Sequence, residues 1–294
     1  MKNWSTTDLS AQSGRTIIVT GANSGLGRVT ATALAGAGAR VILAVRDVER
    51  GEQAAAAITG ETEVRELDLA DLASVRRFAA DWSGPVDVLI NNAGVMAVPE
   101  SSTRDGFELQ FGTNHLGHFA LTNLLLPQLT DRVVNVSSSA HRMGEIVLDD
   151  LSWKTRPYKA WAAYGQSKLA NLLFTLELER RLESDGFSVR AFAAHPGVSA
   201  TTLGSHSGSA FTDRLMKVSN LLAQSAAMGA LPSLFAATQD LPGASYVGPG
   251  SFGGMRGYPA LVGRTAAASD VTVAKKLWDA SEQLTGVGYP ALVG

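Results

Sequence analysis

The side chains best suited to chemistry are a tyrosine and a lysine four residues apart, Tyr164 and Lys168. Residues at i and i+4 share one face of a helix, so the lysine ammonium can lie near the phenol. A nearby cation favours the phenolate, and the spacing therefore predicts a tyrosine pKa lowered from about 10, as a general acid or base requires. The same spacing also occurs on solvated helices without any chemical role. The competing Tyr158 has Ala162 at the corresponding position and so lacks a cationic partner.

A glycine-rich stretch, Thr20–Gly27, follows the apolar run Thr16–Val19 and precedes a predicted helix. Its glycines, Gly21, Gly25 and Gly27, lack the Cβ atoms that would keep a backbone away from a pyrophosphate. The N-terminus of the next helix adds free N–H groups and a positive dipole end. The stretch therefore predicts a cradle for a dinucleotide. A plain tight turn would use the same glycines, and the spacing G-x-x-x-G-x-G differs from the common G-x-G-x-x-G.

The composition is that of a globular protein and excludes several functions. The 294 residues are 45% apolar and 18% charged, with a formal net charge of −2 and no block of like charges, which disfavours a role in binding nucleic acid. The absence of cysteine excludes thiolate catalysis and cysteine-ligated zinc, and no metal site is predicted. A polar N-terminus and the lack of about 18 consecutive apolar residues predict a cytoplasmic protein without a membrane span.

Short β-rich runs alternate with helical stretches along the chain. This alternation predicts a single doubly wound Rossmann domain over residues 1–294, an α/β fold whose parallel sheet of about seven strands has helices on both faces. The predicted strands are Thr16–Thr20, Val41–Arg46, Glu63–Leu67, Val86–Asn91, Arg132–Ser137, Ser188–Ala193 and Ala244–Val247. The predicted helices are Leu26–Ala37, Val48–Ile58, Leu72–Trp82, Leu109–Leu129, Ala160–Glu183 and Ser225–Thr238.

Two long loops, Ala140–Lys159 and Gly197–Ser225, follow predicted strands. Loops at the carboxyl ends of parallel strands usually shape a ligand site, so residues 197–225 are predicted to form a substrate-side loop. Aromatic and aliphatic residues in and beside these loops are consistent with an apolar ligand, although they could equally cover the core. These residues are Met143, Trp153, Trp161, Leu203 and Phe211.

The heptapeptide GYPALVG occurs twice, at residues 257–263 and at residues 288–294. Two short copies cannot build a solenoid, because each unit of a solenoid must bury a face on its neighbour. The repeat is interpreted as a local duplication or a coincidence. The alternative is that the tail, residues 286–294, docks on a second subunit.

Further motifs follow one another in a specific order: Asn-Asn-Ala-Gly at residues 91–94, Asn114 within GTNHLG, three serines at 137–139, YGQSK at 164–168 and His-Pro-Gly at 195–197. With the glycine-rich stretch, they closely resemble the short-chain dehydrogenase/reductase family over about residues 14–285. The runs at 44–47, 135–141 and 167–171 look like its retinol dehydrogenase and protochlorophyllide reductase branch.

The resemblance implies a role for each of four catalytic residues. Tyr164 would exchange a proton with the carbonyl or alcohol oxygen, while Lys168 tunes the tyrosine and holds the nicotinamide ribose. Ser138 would hydrogen-bond the same oxygen, where charge develops; the serines on either side are the alternatives. Asn114 resembles the residue that anchors a water chain to the lysine, and its alternative is an asparagine that bonds locally within a helix.

The resemblance also implies a cofactor site. Within it, residues 91–94 could instead form a purely structural turn, and Asp68 could instead cap the next helix. The implied site consists of Gly21, Asn23, Ser24, Gly25, Leu26, Gly27, Arg46, Asp68, Leu69, Asn91, Ala93, Gly94, Tyr164, Lys168, Pro196, Gly197, Val198 and Thr201.

Cofactor preference depends on the end of the second predicted strand. A carboxylate there would bind the 2′-hydroxyl of NAD, but the chain has Val45 followed by Arg46. A guanidinium can pair with a 2′-phosphate, which predicts NADP(H), with Asn23 and Ser24 offering further hydrogen bonds. If Asp47 occupies the critical place, NAD(H) is the expected cofactor instead.

The predicted function is an NADP(H)-dependent oxidoreductase acting on a carbonyl/alcohol pair of a moderately apolar small molecule. A non-catalytic dinucleotide sensor or scaffold is the alternative, and the complete set of four catalytic residues argues against it. A sugar-nucleotide epimerase or dehydratase is disfavoured by the glycine spacing. The resemblance further implies a homodimer or homotetramer, with an interface formed by the helices predicted at Leu109–Leu129 and Ala160–Glu183.

Overall fold

A computed structural model describes residues 3–197 and 224–290. Within these residues, eight strands form one sheet in which the first seven are parallel and the eighth is antiparallel to the seventh. The strands are β1 (Thr16–Thr20), β2 (Arg40–Val45), β3 (Thr62–Glu66), β4 (Val86–Asn91), β5 (Leu129–Val136), β6 (Arg190–Ala194), β7 (Tyr246–Ser251) and β8 (Arg256–Leu261). Their order across the sheet is β3-β2-β1-β4-β5-β6-β7-β8. The predicted doubly wound α/β fold is confirmed.

Helices cover both faces of the sheet. The longer ones are α1 (Gly25–Gly36), α2 (Val48–Ala56), α3 (Leu72–Ala80), α4 (Gly117–Leu125), α5 (Ala160–Ser184), α6 (Ala226–Thr238) and α7 (Val271–Thr285). Apolar side chains of α1 and α6 pack on one face, whereas those of α3, α4 and α5 pack on the other. No helix in the described ranges is both long enough and apolar enough to cross a bilayer.

Two elements near the end of the described chain were not predicted. β8 contains Gly257 and Pro259, which are poor strand formers, and it joins the sheet as an antiparallel edge strand rather than through a βαβ unit. α7 presents Leu277 and Trp278 to the interior, a helical pattern that the sequence does contain. The sheet therefore has eight strands in place of the predicted seven.

The helix predicted at Leu109–Leu129 is instead a series of shorter segments. A single turn, Leu109–Phe111, leads into a π-helix, Gly112–Leu116, before α4 begins. After α4 the chain forms a 3₁₀ turn at Leu126–Gln128, whose second residue is a proline, and β5 then starts at Leu129. The π-helix widens the turn that carries Asn114, a kind of irregularity that is frequent at functional sites.

Strand order changes direction between β1 and β4. The chain builds outward from β1 through β2 to β3 and then returns to add β4 on the other side of β1. The connections after these strands run to opposite faces and leave a crevice at the carboxyl ends, where open α/β sheets bind their ligands.

The N-terminal cap of α7 provides a test of local stability. The Asp270 carboxylate accepts hydrogen bonds from Thr272 N and Val273 N, at 2.9 and 3.0 Å. We expect Asp270→Ala to lower the free energy of unfolding by about 1 kcal/mol, measured by urea denaturation. Asp270→Asn retains a capping oxygen and serves as the control. Equal losses in the two variants would contradict this account of the cap.

Candidate active site

A cleft of about 820 Å³ lies at the carboxyl ends of β1, β2, β4 and β5. The glycine-rich loop forms one wall, and the end of β2 closes the cleft beside it. Tyr164 and Lys168 line the opposite wall together with Pro196. The structure thus brings residues from both halves of the chain to a single crevice.

The glycine-rich loop has the form that the sequence predicts. Gly21 and Gly25 adopt φ values of +65° and +53°, a region that side chains disfavour. A Cβ atom on Gly27 would lie 2.4 Å from Gly21 O and 2.5 Å from the side-chain nitrogen Nδ2 of Asn92, so no side chain fits there. The Ser24 side chain precedes α1 without capping it, and the first N–H groups of the helix therefore have no side-chain oxygen from Ser24 as partner.

The loop is attached to the end of β4 through Thr20. The Thr20 Oγ1 atom accepts hydrogen bonds from Asn92 N and Ala93 N, both at 2.9 Å, and the Asn92 side chain donates to Thr20 O at 2.7 Å. Gly21 packs so closely on Ala93 that an added Cβ would come within 3.0 Å of its Cα. The sequence interpretation missed Thr20 and Asn92. The chain gives the signal for both only through their places at the ends of adjacent strands.

Tyr164 and Lys168 lie one turn apart on α5 and are both buried. The Lys168 ammonium lies 5.7 Å from the centre of the Tyr164 ring and donates a hydrogen bond to Val136 O at 3.0 Å. Burial raises the pKa of Tyr164 to about 12, and a hydrogen bond with Ser138 opposes that shift. Burial also lowers the pKa of Lys168 to about 8. The predicted lowering of the tyrosine pKa is therefore wrong for this structure, because burial disfavours the phenolate and the hydrogen bond with Ser138 offsets this effect only in part.

The three serines after β5 have different surroundings. Ser138 is partly exposed and hydrogen-bonds Tyr164. Ser137 is buried and donates to Lys168 O at 2.7 Å, while Ser139 is exposed and begins a 3₁₀ turn. Of the three, Ser138 is the serine in contact with the tyrosine.

Asn114 lies in the π-helix with its side chain fully buried. Its side-chain oxygen accepts from Val95 N at 2.8 Å, and its amide nitrogen donates to Val95 O and Ser167 Oγ, each at 2.9 Å. The side chain therefore holds the strand-to-loop segment at Val95 against α5. Gly94 lies between Asn114 and Lys168, since a Cβ there would come 2.9 Å from the asparagine oxygen and 3.5 Å from Lys168 Nζ.

Two arginines and an aspartate line the cleft beyond the end of β2. Arg46, Asp47 and Arg50 all face it and are all exposed. The Asp47 carboxylate caps α2 by accepting from Arg50 N at 3.1 Å and pairs with the Arg50 side chain at 3.3 Å. It is thus already engaged by a guanidinium. The sequence interpretation missed Arg50, although it stands four residues after Arg46 in the chain.

Asp68 and Leu69 line the cleft as predicted. Asp68 does not cap α3: its carboxylate accepts from Ala70 N at 2.9 Å, and the cap is Asp71, which accepts from Ala73 N. The alternative role considered for Asp68 is therefore wrong.

Asn91 and Asn92 point in different directions. The Asn91 side chain is buried in the sheet and donates to Thr122 Oγ1 at 2.9 Å and Asn135 Oδ1 at 2.8 Å. Asn92, Ala93 and Gly94 line the cleft. The structure does not bring the Asn91 side chain to the predicted cofactor site.

The far end of the cleft is reached by Pro196, and Gly197 adopts a φ of +66° beside it. A Cβ on Gly197 would lie 2.4 Å from Met255 O. Val198, Thr201, Leu203 and Phe211 lie outside the described residues, as does most of the predicted substrate-side loop.

The large side chains of the loop that precedes α5 and of the start of α5 differ in exposure. Met143 and Trp161 are exposed, and the Trp161 ring meets the Tyr164 ring edge-on at 6.1 Å. Trp153 is buried beneath the Arg156 guanidinium, 3.7 Å from the ring centre, so it covers the core. Tyr158 donates to Val98 O and accepts from Gln110, and burial raises its pKa. Among the described residues, no group of three or more acidic, histidine or cysteine side chains could hold a metal.

Comparisons with known proteins agree with this geometry. Residues 15–210 match the family model of the short chain dehydrogenases. Retinol dehydrogenase 13 of Homo sapiens is 47% identical over 95% of this chain and 87% of its own length. A crystal structure of a protein from Mycobacterium paratuberculosis is 56% identical, covers 99% of this chain and 100% of that chain, and superposes with a TM-score of 0.87.

A more distant solved structure, of a protein from Beutenbergia cavernae, holds NADP at low occupancy. It is 25% identical over 78% of this chain and 91% of that chain, with a TM-score of 0.58. The matched motifs, the sheet topology and these relatives agree that the chain belongs to the short-chain dehydrogenase/reductase family, in the branch of the retinol dehydrogenases.

Proposed function

We propose that this protein is an NADP(H)-dependent oxidoreductase that interconverts a carbonyl and an alcohol on a moderately apolar small molecule, with the whole chain acting as one dinucleotide-binding domain. The observation that carries the proposal is the Tyr164 and Lys168 pair, which faces the same cleft as the glycine-rich loop, with Ser138 hydrogen-bonded to the tyrosine. A sensor or scaffold would have no need of a buried phenol in contact with a hydroxyl beside that loop.

The cleft fits a dinucleotide. Gly27 lies so close to Gly21 that no Cβ fits between them, so a bound group can approach the backbone directly. Helix α1 directs its first N–H groups towards the cleft. Asn23, Ser24 and Leu26 line the same wall and would surround the pyrophosphate. A bound nicotinamide supplies the hydride donor or acceptor that these side chains do not possess.

The chain's own residues supply the proton and hold the substrate oxygen. Because its pKa is raised to about 12, Tyr164 is protonated near neutral pH and is ready to donate to an oxygen that gains negative charge. Ser138 can donate a second hydrogen bond to that oxygen. The Lys168 ammonium stabilises the phenolate that remains.

Arginines at the end of β2 support a preference for NADP(H). Arg46 lines the cleft without an acidic residue at the preceding position, which is Val45. The nearby Asp47 is engaged as the cap of α2 and as the partner of Arg50. Two guanidinium groups at this end would pair with a 2′-phosphate, and the neutralised carboxylate would repel it little.

Exposed apolar side chains on the segments beside Tyr164 support the proposed substrate class. Trp161, which is 41% exposed, meets the Tyr164 ring edge-on, and Met143, which is 57% exposed, precedes Gly144, which packs against Gly165. An apolar ligand beside the tyrosine would be within reach of both side chains. Retinol dehydrogenase 13, at 47% identity, is named for an apolar alcohol. We therefore propose alcohols and aldehydes on apolar carbon skeletons as the substrates. Screening such compounds while following NADPH and NADH absorbance tests the proposal, and binding of dinucleotide without turnover of any compound would favour a sensor.

Removing the phenolic hydroxyl tests the acid/base assignment. We expect Tyr164→Phe to reduce kcat by at least about 100-fold, because proton transfer loses its donor, while the dissociation constant for NADPH changes little. Tyr158→Phe is the matched control, since that hydroxyl bonds Val98 O and Gln110 away from Ser138. Turnover that survives Tyr164→Phe as well as it survives Tyr158→Phe would refute the mechanism.

Cofactor preference is tested at Arg46. We expect Arg46→Ala to weaken NADPH binding about tenfold or more, as the loss of a charge-assisted hydrogen bond would, and to change NADH binding less than twofold. Arg40→Ala, at the opposite end of β2, should affect neither cofactor. Titrations of both dinucleotides measure these effects, and parallel losses for NADPH and NADH would rule out a role of Arg46 in binding the 2′-phosphate.

A further inference from the structure

A buried histidine lies between the glycine-rich loop and the π-helix that carries Asn114. His118 is 1% exposed and belongs to the first turn of α4. Its Nδ1 atom lies 3.0 Å from Asn114 O, and its Nε2 atom lies 2.9 Å from Thr20 Oγ1. The two contacts join residues 94 positions apart in the chain, and the proposed function does not yet account for them.

The donors and acceptors of this histidine can be assigned. A carbonyl oxygen only accepts, so the Nδ1 atom must carry the proton that His118 donates to Asn114. Burial lowers the pKa of His118 to about 4, and the charge of Lys168 acts in the same direction, so the ring is neutral at physiological pH. The Nε2 atom is therefore an acceptor, and Thr20 donates its hydroxyl proton to it.

At the loop end, Thr20 immediately precedes Gly21. While its hydroxyl donates to His118, its oxygen accepts from the N–H groups of Asn92 and Ala93. The single hydroxyl proton of Thr20 goes to His118 Nε2 at 2.9 Å, since the other acceptor, Ile90 O, is more distant at 3.4 Å. A shift of the loop to accommodate a pyrophosphate would therefore move a group to which the histidine is bonded. The hydrogen bond from Thr20 therefore links the glycine-rich loop to the ring of His118.

At the other end, the Asn114 side chain is already fixed by Val95 and Ser167. His118 adds a constraint on the main-chain carbonyl of the same residue. Because Gly94 alone separates the Asn114 side-chain oxygen from Lys168, the position of Asn114 helps define the polar surroundings of the lysine.

We propose that neutral His118 is a positioning residue that couples dinucleotide binding at the glycine-rich loop to the Tyr164 and Lys168 pair, by fixing the main-chain carbonyl of Asn114. Its effect on turnover rests on the proposed function, whereas its effect on dinucleotide affinity does not. His118 itself touches neither substrate nor cofactor in this arrangement, and it acts through Thr20 and Asn114.

A double-mutant cycle on NADPH affinity tests the loop end of this coupling. The variants are Thr20→Val, His118→Phe and the two combined, with dissociation constants measured by fluorescence titration. We expect each single change to weaken binding about tenfold, as loss of a buried hydrogen bond would, and the double variant to bind no more weakly than Thr20→Val alone. Additive losses, about 100-fold in the double variant, would overturn the coupling.

The pH profile of kcat tests the catalytic end. We expect His118→Phe to shift the apparent pKa of the profile, which Tyr164 and Lys168 govern, by at least about half a unit. His118→Asn places an amide N–H near the former Nδ1 position and should restore the wild-type profile while leaving the weakened NADPH affinity. A His118→Phe profile identical to that of the wild type would overturn the proposal.

His115→Phe is the matched control for a purely structural effect. His115 is equally buried, bonds Ser281 at 3.0 Å and packs between the rings of Phe111 and Phe119, away from the loop. Its replacement should lower thermal stability without changing NADPH affinity or the pH profile, and a His118→Phe variant that behaved in the same way would refute the role of His118. If no alcohol or carbonyl is turned over, the proposed function fails, while the NADPH cycle still decides whether His118 and Thr20 are coupled.

Discussion

The close contact between the end of β1 and the end of β4 is the constraint on which the rest of the site depends. Thr20 receives the backbone N–H groups of Asn92 and Ala93, and Gly21 lies against Ala93 with no room for a side chain. This contact lies where the strand order of the sheet reverses, and it places the start of α1 at the crevice. Because the chain continues from β4 into Gly94 and Val95, the same contact places these two residues against Asn114 and beside Lys168.

Burial, more than the proximity of opposite charges, sets the proton affinities of the acid/base pair. α5 lies between the sheet and α7, whose Trp278 packs against Phe174 at 5.6 Å. Desolvation raises the tyrosine pKa and lowers the lysine pKa, so it favours the neutral form of both groups. A ligand that brings charge or hydrogen bonds into this dry environment acts on both groups with little screening by water. The packing of α5 therefore affects the protonation of the two side chains, Tyr164 and Lys168, that this helix carries to the site.

Much of the fold and of the site could be predicted from the sequence, because it depends on local patterns. The bounds of β1 and β4 match the predicted ones, and the spacing of Tyr164 and Lys168 gave their common helix face. What could not be predicted depends on contacts distant in sequence or on solvent exposure. The hydrogen bond from Thr20 to His118 joins the end of β1 to the start of α4, and only the folded sheet brings these two ends together. The spacing reveals a cation near Tyr164 but not how deeply both groups are buried.

The edge strand β8 has a consequence for how this sheet can associate. Val262 N donates to Tyr246 O, so these two residues form a hydrogen-bonded pair of the antiparallel ladder. Hydrogen-bonded and non-hydrogen-bonded pairs alternate along such a ladder, which makes Pro249 and Pro259 a non-hydrogen-bonded pair whose backbone groups point away from each other. Pro259 therefore turns its nitrogen, which has no hydrogen, towards the open side of the sheet. A ninth strand supplied by another molecule would lack a donor in the middle of its ladder. Within the described residues, the β8 edge of the sheet thus resists the addition of a strand from another molecule.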